Sequence, residues 1–226
     1  MSRIGILSDI HGNYPALQAV MEALKRHRCE ALICLGDICG YYPFVNECID
    51  YLRQSGAICL KGNHDSYLLG ESSCPRSTTV NECIAYQQKV ITPDNLEWLA
   101  TLSPQHQADN LLAVHGGLND SLDEYVTSFD FDRAAREHPG IKVFLSGHTH
   151  IPLLQSKGDL LYCNPGSVGQ PRDHDPRAAY AVMEDGRIEL HRTTYPIAAT
   201  AEAMAQAGFT DYYYRNLFHG CRIGER

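Results

Sequence analysis

The sequence has no long apolar run and no surplus of basic residues. No stretch approaches the roughly 18 apolar residues of a membrane-spanning helix, so we expect no membrane span. The formal net charge of −8 argues against an extended nucleic-acid partner, because surfaces that bind the phosphate backbone carry a basic stripe. This charge does not argue against a small phosphorylated substrate held by metal ions.

The nine cysteines are scattered, and no two of them form a Cys-x-x-Cys pair. The chain also does not open with a charged segment followed by an apolar one, the pattern of a secretory leader. We therefore expect a cytoplasmic protein with reduced thiols. Cys34, Cys59 and Cys163 lie in strand-like runs and are predicted to be small core residues.

Short apolar runs in this sequence are followed by side chains that bind metal ions. The run Val143–Leu145 leads to His148 and His150, which can point into one site because alternate side chains of an extended chain share a face. Four other runs lead in the same way to Asp9 and His11, to Asp37, to Asn63 with His64 and Asp65, and to His115. Ligands bind at the carboxyl ends of strands in open α/β sheets, so these ends predict one shared site.

In this order, the residues resemble the motif set of the calcineurin-like metallophosphoesterase superfamily. The set comprises Asp9-Ile10-His11-Gly12-Asn13, Gly36-Asp37, Gly62-Asn63-His64-Asp65, His115-Gly116 and Gly147-His148-Thr149-His150. Asn164-Pro165-Gly166-Ser167 is similar to a further segment of small bacterial and archaeal members. The resemblance implies an α/β fold, a layered α/β/β/α sandwich of mixed sheets with the metal site at the strand carboxyl ends.

The candidate ligands are two carboxylates, one amide and four imidazoles, which is more than one ion needs. The resemblance assigns Asp9, His11 and His150 to one ion. It assigns Asn63, His115 and His148 to a second ion, with Asp37 bridging the two. Oxygen and nitrogen ligands without thiolate favour Mn²⁺, Fe²⁺/Fe³⁺ or Zn²⁺ over Mg²⁺ and Ca²⁺.

Such a pair of ions suits the hydrolysis of a phosphate ester. Ions about 3.5–4 Å apart can generate a bridging hydroxide and balance the charge of an in-line displacement. His64 is predicted to protonate the leaving group as general acid, a role that the resemblance also implies, and Asp65 to orient its ring. The alternative is that His64 only hydrogen-bonds near the ligands and donates no proton.

Three more residues are candidates for substrate binding. Asn13 either bonds to the substrate or stabilises a turn. Tyr42, like the neighbouring Tyr41 and Phe44, either lines a pocket or caps the sheet edge. Arg172 offers a fork of donors that suits phosphate, although an ordinary surface arginine is the alternative. Five histidines outside the motifs are interpreted as non-ligands: His106, His138, His174, His191 and His219.

The length fits a single domain over residues 1–226. Apolar residues recur at helical spacing after Pro15 and again over residues 45–52, and strand-like runs lie before and after each of these segments. This order predicts two strand-helix-strand crossover units with parallel strands. The segment 66–108 contains helical patterns over residues 80–90 and 95–102. We interpret the whole segment as a helical insertion over the site.

A short helix is predicted over residues 130–137. In the last third of the sequence, the pattern predicts strands over residues 160–163, 178–183 and 187–192. Asp185-Gly186 marks a hairpin turn between the last two strands. A helix from about residue 198 is predicted to end in the aromatic cluster Tyr212, Tyr213, Tyr214, Leu217 and Phe218. We interpret this cluster as core, or as the contact surface of a homo-oligomer.

The leading hypothesis is therefore an enzyme, a two-metal phosphodiesterase or phosphomonoesterase acting on a small nucleotide-like substrate. The alternative is a non-catalytic metal-binding scaffold that docks protein partners. The complete ligand set and His64 favour the enzyme.

Overall fold

Two five-stranded sheets form the centre of the structure, a computed structural model that describes residues 3–225. The strands in this part of the chain are β1 (Ile4–Leu7), β2 (Ala31–Cys34), β3 (Ile58–Cys59), β4 (Gln105–Ala108), β5 (Leu111–Val114), β6 (Val143–Leu145), β7 (Leu153–Lys157), β8 (Leu160–Asn164), β9 (Ala178–Glu184) and β10 (Arg187–Thr193). The first sheet has the order β10-β9-β1-β2-β3 and the second the order β4-β5-β6-β8-β7. Both sheets are mixed, since parallel strands in the middle are flanked by antiparallel ones.

Helices cover the outer faces of the sheets. They are α1 (Tyr14–Arg26), α2 (Val45–Ser55), α3 (Asn63–Leu68), α4 (Thr78–Val90), α5 (Pro93–Ala100), α6 (Phe131–Glu137) and α7 (Ile197–Gln206), with 3₁₀ turns at Asp211–Tyr213 and Arg215–Phe218. Helices α1, α2, α4 and α7 share one apolar cluster with the first sheet. Helix α6 packs through Ala134 against the second sheet. The predicted α/β/β/α sandwich is thus confirmed.

The space between the sheets is filled by alternate side chains of the strands. Ile6 and Ile33 of the first sheet pack with Val143 and Leu145 of the second, and all four are buried. Leu7, the neighbour of Ile6, instead joins the cluster under the helices. This alternation is the period of two that a pleated strand imposes.

Parallel pairing brings the ligand-bearing loops together. Strand β1 pairs in parallel with β2, from Ile4↔Ala31 to Leu7↔Cys34. Strand β5 pairs in parallel with β6 in the other sheet. Parallel strands end at the same edge of a sheet, so the loops that follow β1, β2, β5 and β6 meet at one edge of the sandwich.

The C-terminal segment differs from the prediction. Helix α7 ends at Gln206, and Gly208 follows with a φ of +91°. A left-handed glycine just after the last turn is a common helix terminator. The prediction that the helix extends to the aromatic cluster is therefore wrong, since those residues lie in the two 3₁₀ turns or, for Tyr214, between them. Strands β4 and β7 and helix α3 are further elements that the pattern did not predict.

None of the helices formed by residues 3–225 is long and apolar enough to cross a membrane.

We expect Ile6→Ala to lower the free energy of unfolding of the metal-free protein by about 2–5 kcal/mol, because it leaves a cavity between the sheets. Urea unfolding followed by circular dichroism measures this change. Leu190→Ala is the matched control, since Leu190 is 37% exposed and its truncation should cost only about 0.5 kcal/mol. Equal losses in the two variants would contradict the assignment of Ile6 to the inter-sheet core.

Candidate metal centre

The predicted ligands lie on loops whose backbone is held in an unusual conformation. Five of them have φ values between 53° and 66°: Asp9, His11, Asp37, His148 and His150. A residue with a side chain costs roughly 1–2 kcal/mol in this left-handed region. Hydrogen bonds between the loops hold it there, including those from the N–H of Asp9 to Gly36 O (3.1 Å) and from the N–H of His11 to Asp37 O (2.9 Å). Strained backbone of this kind is concentrated at functional sites.

One group of potential metal ligands comprises Asp9, His11, Asp37 and His150, all of them buried. His150 Nε2 lies 3.3 Å from Asp9 Oδ1, and His11 Nε2 lies 3.5 Å from Asp37 Oδ2. The two imidazole Nε2 atoms are 3.0 Å apart.

A second group comprises Asp37, His115 and His148. His115 Nε2 lies 3.4 Å from Asp37 Oδ2 and 3.1 Å from Asn63 Oδ1. The amide nitrogen of Asn63 donates to the hydroxyl of Tyr67 one helical turn later (3.2 Å), and this bond turns the amide oxygen towards His115. Asn63 thereby adds an oxygen to the second group.

Asp37 belongs to both groups. Its Oδ1 accepts the backbone N–H of His64 at the first turn of α3 (2.8 Å). Among residues 3–225 its Oδ2 has no hydrogen-bond partner, and it lies between the imidazoles of His11 and His115. One oxygen is therefore fixed by the fold, and the other faces both groups.

Backbone carbonyl groups set the orientation of three imidazoles. The Nδ1–H groups of His11, His115 and His150 donate to Cys39 O (2.9 Å), Leu35 O (2.8 Å) and Gln170 O (2.6 Å). With Nδ1 facing a carbonyl group, Nε2 is the nitrogen that points into the site, where it offers a lone pair whenever it carries no proton. Such outer hydrogen bonds fix the tautomer of metal-binding histidines.

The donor set fits metal cations. The Nε2 lone pairs of His11 and His150 face each other across 3.0 Å, an arrangement that a cation between them stabilises. Asp9 Oδ1, Asp37 Oδ2 and His148 Nε2 are buried without a hydrogen-bond partner in the described part of the chain. Each such atom costs about 1–3 kcal/mol unless it is satisfied. Carboxylate, amide and imidazole donors together suit transition metals.

Protons are unevenly distributed over the site. Burial disfavours a charged imidazole, but the carboxylate of Asp37 outweighs this effect and raises the pKa of His115 to about 10. Burial also raises the pKa of Asp9 to about 7. Burial lowers the pKa of the remaining imidazoles of the two groups, those of His11, His148 and His150. In the ion-free site at neutral pH, Asp37 and His115 therefore form an ion pair, while the other imidazoles are neutral.

His64 lies beside the ligands but belongs to neither group. Its ring is 4.6 Å from that of His11, and its Nδ1 has no hydrogen-bond partner within the described residues. The side chain lines the cavity in front of the two groups. Burial lowers the pKa of His64 to about 4.

Asp65 does not orient the ring of His64, so that prediction is wrong. Its Oδ1 accepts the N–H of Cys39 (2.9 Å), and its Oδ2 accepts the N–H of Gly62 (2.9 Å). Both oxygens are thus occupied by backbone donors. The carboxylate instead joins the loop after Asp37 to the start of α3. It thereby fixes the positions of Asp37 and His64 relative to each other.

A cavity of about 560 Å³ opens in front of the two groups. Arg172 lines it and is half-buried. In the described part of the chain, its side chain bonds to neutral groups, the hydroxyl of Tyr41 (3.0 Å) and the amide oxygen of Gln170 (2.8 Å). The guanidinium charge is therefore free to attract an anion.

Asn13 and Tyr42 lie behind the cavity. The amide of Asn13 donates to Gly169 O (2.8 Å) and accepts the N–H of Ala16 at the start of α1 (3.4 Å), which favours the turn-stabilising alternative. Tyr42 is 1% exposed, and its hydroxyl accepts the side-chain amide of Gln170 (3.2 Å). It thus supports a cavity-lining residue from behind and does not line the cavity itself.

Several residues at the site were not predicted. The ring of Tyr125 lies 4.1 Å from that of His148, and Asp123 Oδ1 lies 3.3 Å from His148 Nε2. Both residues are in the long loop between β5 and α6, which carries no motif. Of the predicted insertion, Cys74 and Val80 line the cavity, whereas α5 packs against α2. None of the five histidines interpreted as non-ligands belongs to either group.

The fold and the paired ligand groups define a metal-binding α/β protein. The sequence profile of the calcineurin-like phosphoesterase superfamily domain matches residues 2–186. The chain therefore belongs to this superfamily, which confirms the resemblance seen in the motifs, and it is a metal-dependent phosphoesterase.

Individual relatives agree with this assignment. An uncharacterised protein of Methanocaldococcus jannaschii is 30% identical, over 97% of this chain and 98% of its own length. The phosphodiesterase YfcE of Escherichia coli K12 is 25% identical, over 84% of this chain and 91% of its own length. The crystal structure of a metallophosphoesterase from Sphaerobacter thermophilus is similar with a TM-score of 0.83 at 31% identity, covering 96% of this chain and 99% of that one.

We expect Mn²⁺ binding at pH 7 to release about one to two protons per chain, because His115 and part of the Asp9 population are protonated in the ion-free site and must lose their protons to bind a cation. The affinity should therefore rise between about pH 6 and pH 8. Titration calorimetry in buffers of different ionisation enthalpy measures the release. His219→Ala, which removes an exposed imidazole, should release as many protons as the wild type. Binding without proton release would contradict the Asp37–His115 ion pair.

Proposed function

We propose that the protein hydrolyses a phosphodiester bond in a small nucleotide-like substrate, with two transition-metal ions bound side by side. The observation that carries this proposal is the position of Asp37 Oδ2, which is 3.5 Å from His11 Nε2 and 3.4 Å from His115 Nε2. A single carboxylate oxygen between two sets of donors is the arrangement that a bridging ligand requires.

In this proposal Asp9, His11 and His150 would hold one ion, Asn63, His115 and His148 would hold the other, and Asp37 would be common to both. The ions are Mn²⁺, iron or Zn²⁺, as the donors favour. When bound, two adjacent ions supply an activated water and polarise the phosphoryl oxygens. All other steps belong to side chains of the chain itself.

Arg172 is the proposed phosphate-binding residue. Its guanidinium lines the cavity beside His150 and has only neutral partners in the described structure. A planar fork of N–H donors matches two phosphate oxygens. Arg172 would thereby hold the reacting group against the two ligand groups and orient the leaving oxygen towards the cavity.

His64 is the proposed general acid. It faces the same cavity as Arg172, next to the ligand groups. Because burial lowers its pKa to about 4, its imidazole is neutral in the free site. A bound phosphate adds negative charge nearby, which favours the protonated imidazolium. His64 takes this proton from solvent in the open cavity and passes it to the leaving oxygen as the ester bond breaks.

The preference for a small diester rests on two observations. The relative from Escherichia coli is named a phosphodiesterase. The cavity of about 560 Å³ lies within the range of roughly 300–1,000 Å³ typical of small-molecule sites. We also propose a cytoplasmic location, supported by the nine free thiols of the structure. A homo-oligomer through the exposed Phe218 stays a further prediction.

Hydrolysis of two chromogenic esters tests the proposed function. The metal-free protein should be inactive, and added Mn²⁺ should give turnover of bis-4-nitrophenyl phosphate in excess of 4-nitrophenyl phosphate. Asp37→Asn should bind less metal and lose turnover of both esters. Failure to hydrolyse either ester with Mn²⁺, iron or Zn²⁺ would refute the proposal, and a preference for the monoester would refute the diesterase assignment.

We expect His64→Ala to keep its metal content and to lose about 10²–10⁴-fold in kcat. The loss should be greatest for an alkyl ester, because an alkoxide needs a proton more than nitrophenolate does. Metal analysis and initial rates on both kinds of ester provide the measurement. His219→Ala, at an exposed histidine, is the control that should behave as the wild type. Unchanged turnover of the alkyl ester would remove His64 from the mechanism.

A further inference from the structure

The outer part of the cavity is built in part by residues beyond the segment that the superfamily profile matches. The superfamily profile ends at residue 186, whereas Tyr212, Arg222 and Ile223 line the cavity together with the metal-binding side chains. The C-terminal segment therefore contributes to the shape and charge of the outer cavity, together with Arg76 and Tyr125 from within the matched residues.

This C-terminal segment is fixed to the body of the protein. Asn216 is 1% exposed, and its side-chain amide donates both to the hydroxyl of Tyr42 (3.3 Å) and to Cys221 O (3.1 Å). Leu217 is buried in the main helix-covered cluster. The backbone N–H of His174 donates to Gly220 O (2.9 Å). These contacts position Arg222 at the cavity before any ligand binds.

The charged residues of the outer cavity are arginines. Asp37 is the only carboxylate residue that lines the cavity in the described structure, and it belongs to the metal centre. The cationic residues other than histidine are Arg76, Arg172 and Arg222. In a chain with a formal net charge of −8, three arginines around one cavity form a local region of positive potential.

The three arginines occupy different depths. Arg172 is next to the metal ligands, since its backbone N–H donates to His150 O (3.4 Å). Arg76 lies further out: its guanidinium is 5.8 Å from the ring of Tyr125, and this ring lies against His148. Its side chain is 51% exposed, and Arg222 is exposed as well.

The two outer arginines differ in their pairing. Arg76 is held by Asp123, with 2.5 Å between Nη2 and Oδ1, so its charge is partly balanced and its position is defined. The guanidinium of Arg222 forms no ion pair within residues 3–225. The carboxylate of Glu225 accepts the backbone N–H of Arg222 (3.0 Å), not its side chain. The outer cavity thus keeps at least one uncompensated guanidinium, a group that binds phosphate strongly.

We propose that Arg76 and Arg222 form a second anion subsite, which binds a second phosphoryl group carried by the substrate. The inference rests on the proposed function, in which Arg172 and the metal centre hold the reacting phosphate. The substrate class is then a phosphate ester with at least two phosphoryl groups, such as a nucleoside polyphosphate. The exposed rings of Tyr125 and Tyr212 at the same opening offer flat surfaces for a base.

Competition between AMP and ADP tests this subsite. Both are used as inhibitors of bis-4-nitrophenyl phosphate hydrolysis by the Mn²⁺-loaded enzyme, with Mn²⁺ in constant excess. The second phosphate should make ADP bind about tenfold more tightly than AMP to the wild type, as expected for one charge-assisted contact. Arg222→Gln and Arg76→Gln should each reduce this preference to roughly twofold or less. Comparing the two nucleotides within one variant cancels any general effect on the metal centre.

Arg187→Gln is the matched control, because Arg187 is an exposed arginine on β10 that does not line the cavity. It removes the same charge and should keep the wild-type preference for ADP. Equal inhibition by AMP and ADP in the wild type would overturn the subsite, as would a preference that survives in both cavity variants or disappears in Arg187→Gln. Absence of ester hydrolysis in the wild type would instead refute the proposed function, so the two failures are distinguishable.

Discussion

The shared carboxylate of Asp37 is the constraint on which the rest of the site depends. It is buried at the end of β2 with one oxygen bonded to the first turn of α3 and the other between two sets of imidazoles. A buried charge is tolerated only where it is paired or binds a cation. The parallel pairing of β1 with β2 and the packing of the two sheets bring those partners to it.

Holding the ligands there requires conformations and contacts that the protein supplies around them. Five ligand residues have left-handed backbone, and the bonds between adjacent loops maintain it. Asp65 uses both carboxylate oxygens to join the Asp37 loop to α3. Gly62 sits so close to Asp37 that a Cβ atom there would overlap the carboxylate. The centre is thus preorganised by backbone hydrogen bonds and close backbone approach, not by the ligands alone.

The cavity differs in charge from the chain as a whole. The chain is acidic as a whole, yet its main cavity combines a metal centre with three arginines. Low-dielectric walls focus such a field and attract anions to the opening. This charge distribution supports the proposal of a small phosphorylated substrate over a long nucleic-acid backbone. In the proposals above, the metal ligands account for the chemistry and the outer arginines for the choice of substrate.

The sequence by itself predicted the candidate metal ligands and, through the resemblance of its motifs to the superfamily, the sandwich that the structure confirms. Each candidate ligand follows an apolar run at a predictable strand end, so local order along the chain was sufficient to find them. The extended-chain argument for His148 and His150 does not hold, because both lie beyond β6 with left-handed backbone and belong to different groups. The role of Asp65 and the buried position of Tyr42 could not be read in this way, because each depends on groups distant in the chain. The end of α7 at Gln206 has a local signal in Gly208, which the prediction did not use. Arg76 and Arg222 are ordinary charged residues in the sequence. Only the tertiary structure decided that they line one cavity with the metal centre, since side chains separated by 146 positions meet through packing and not through pattern.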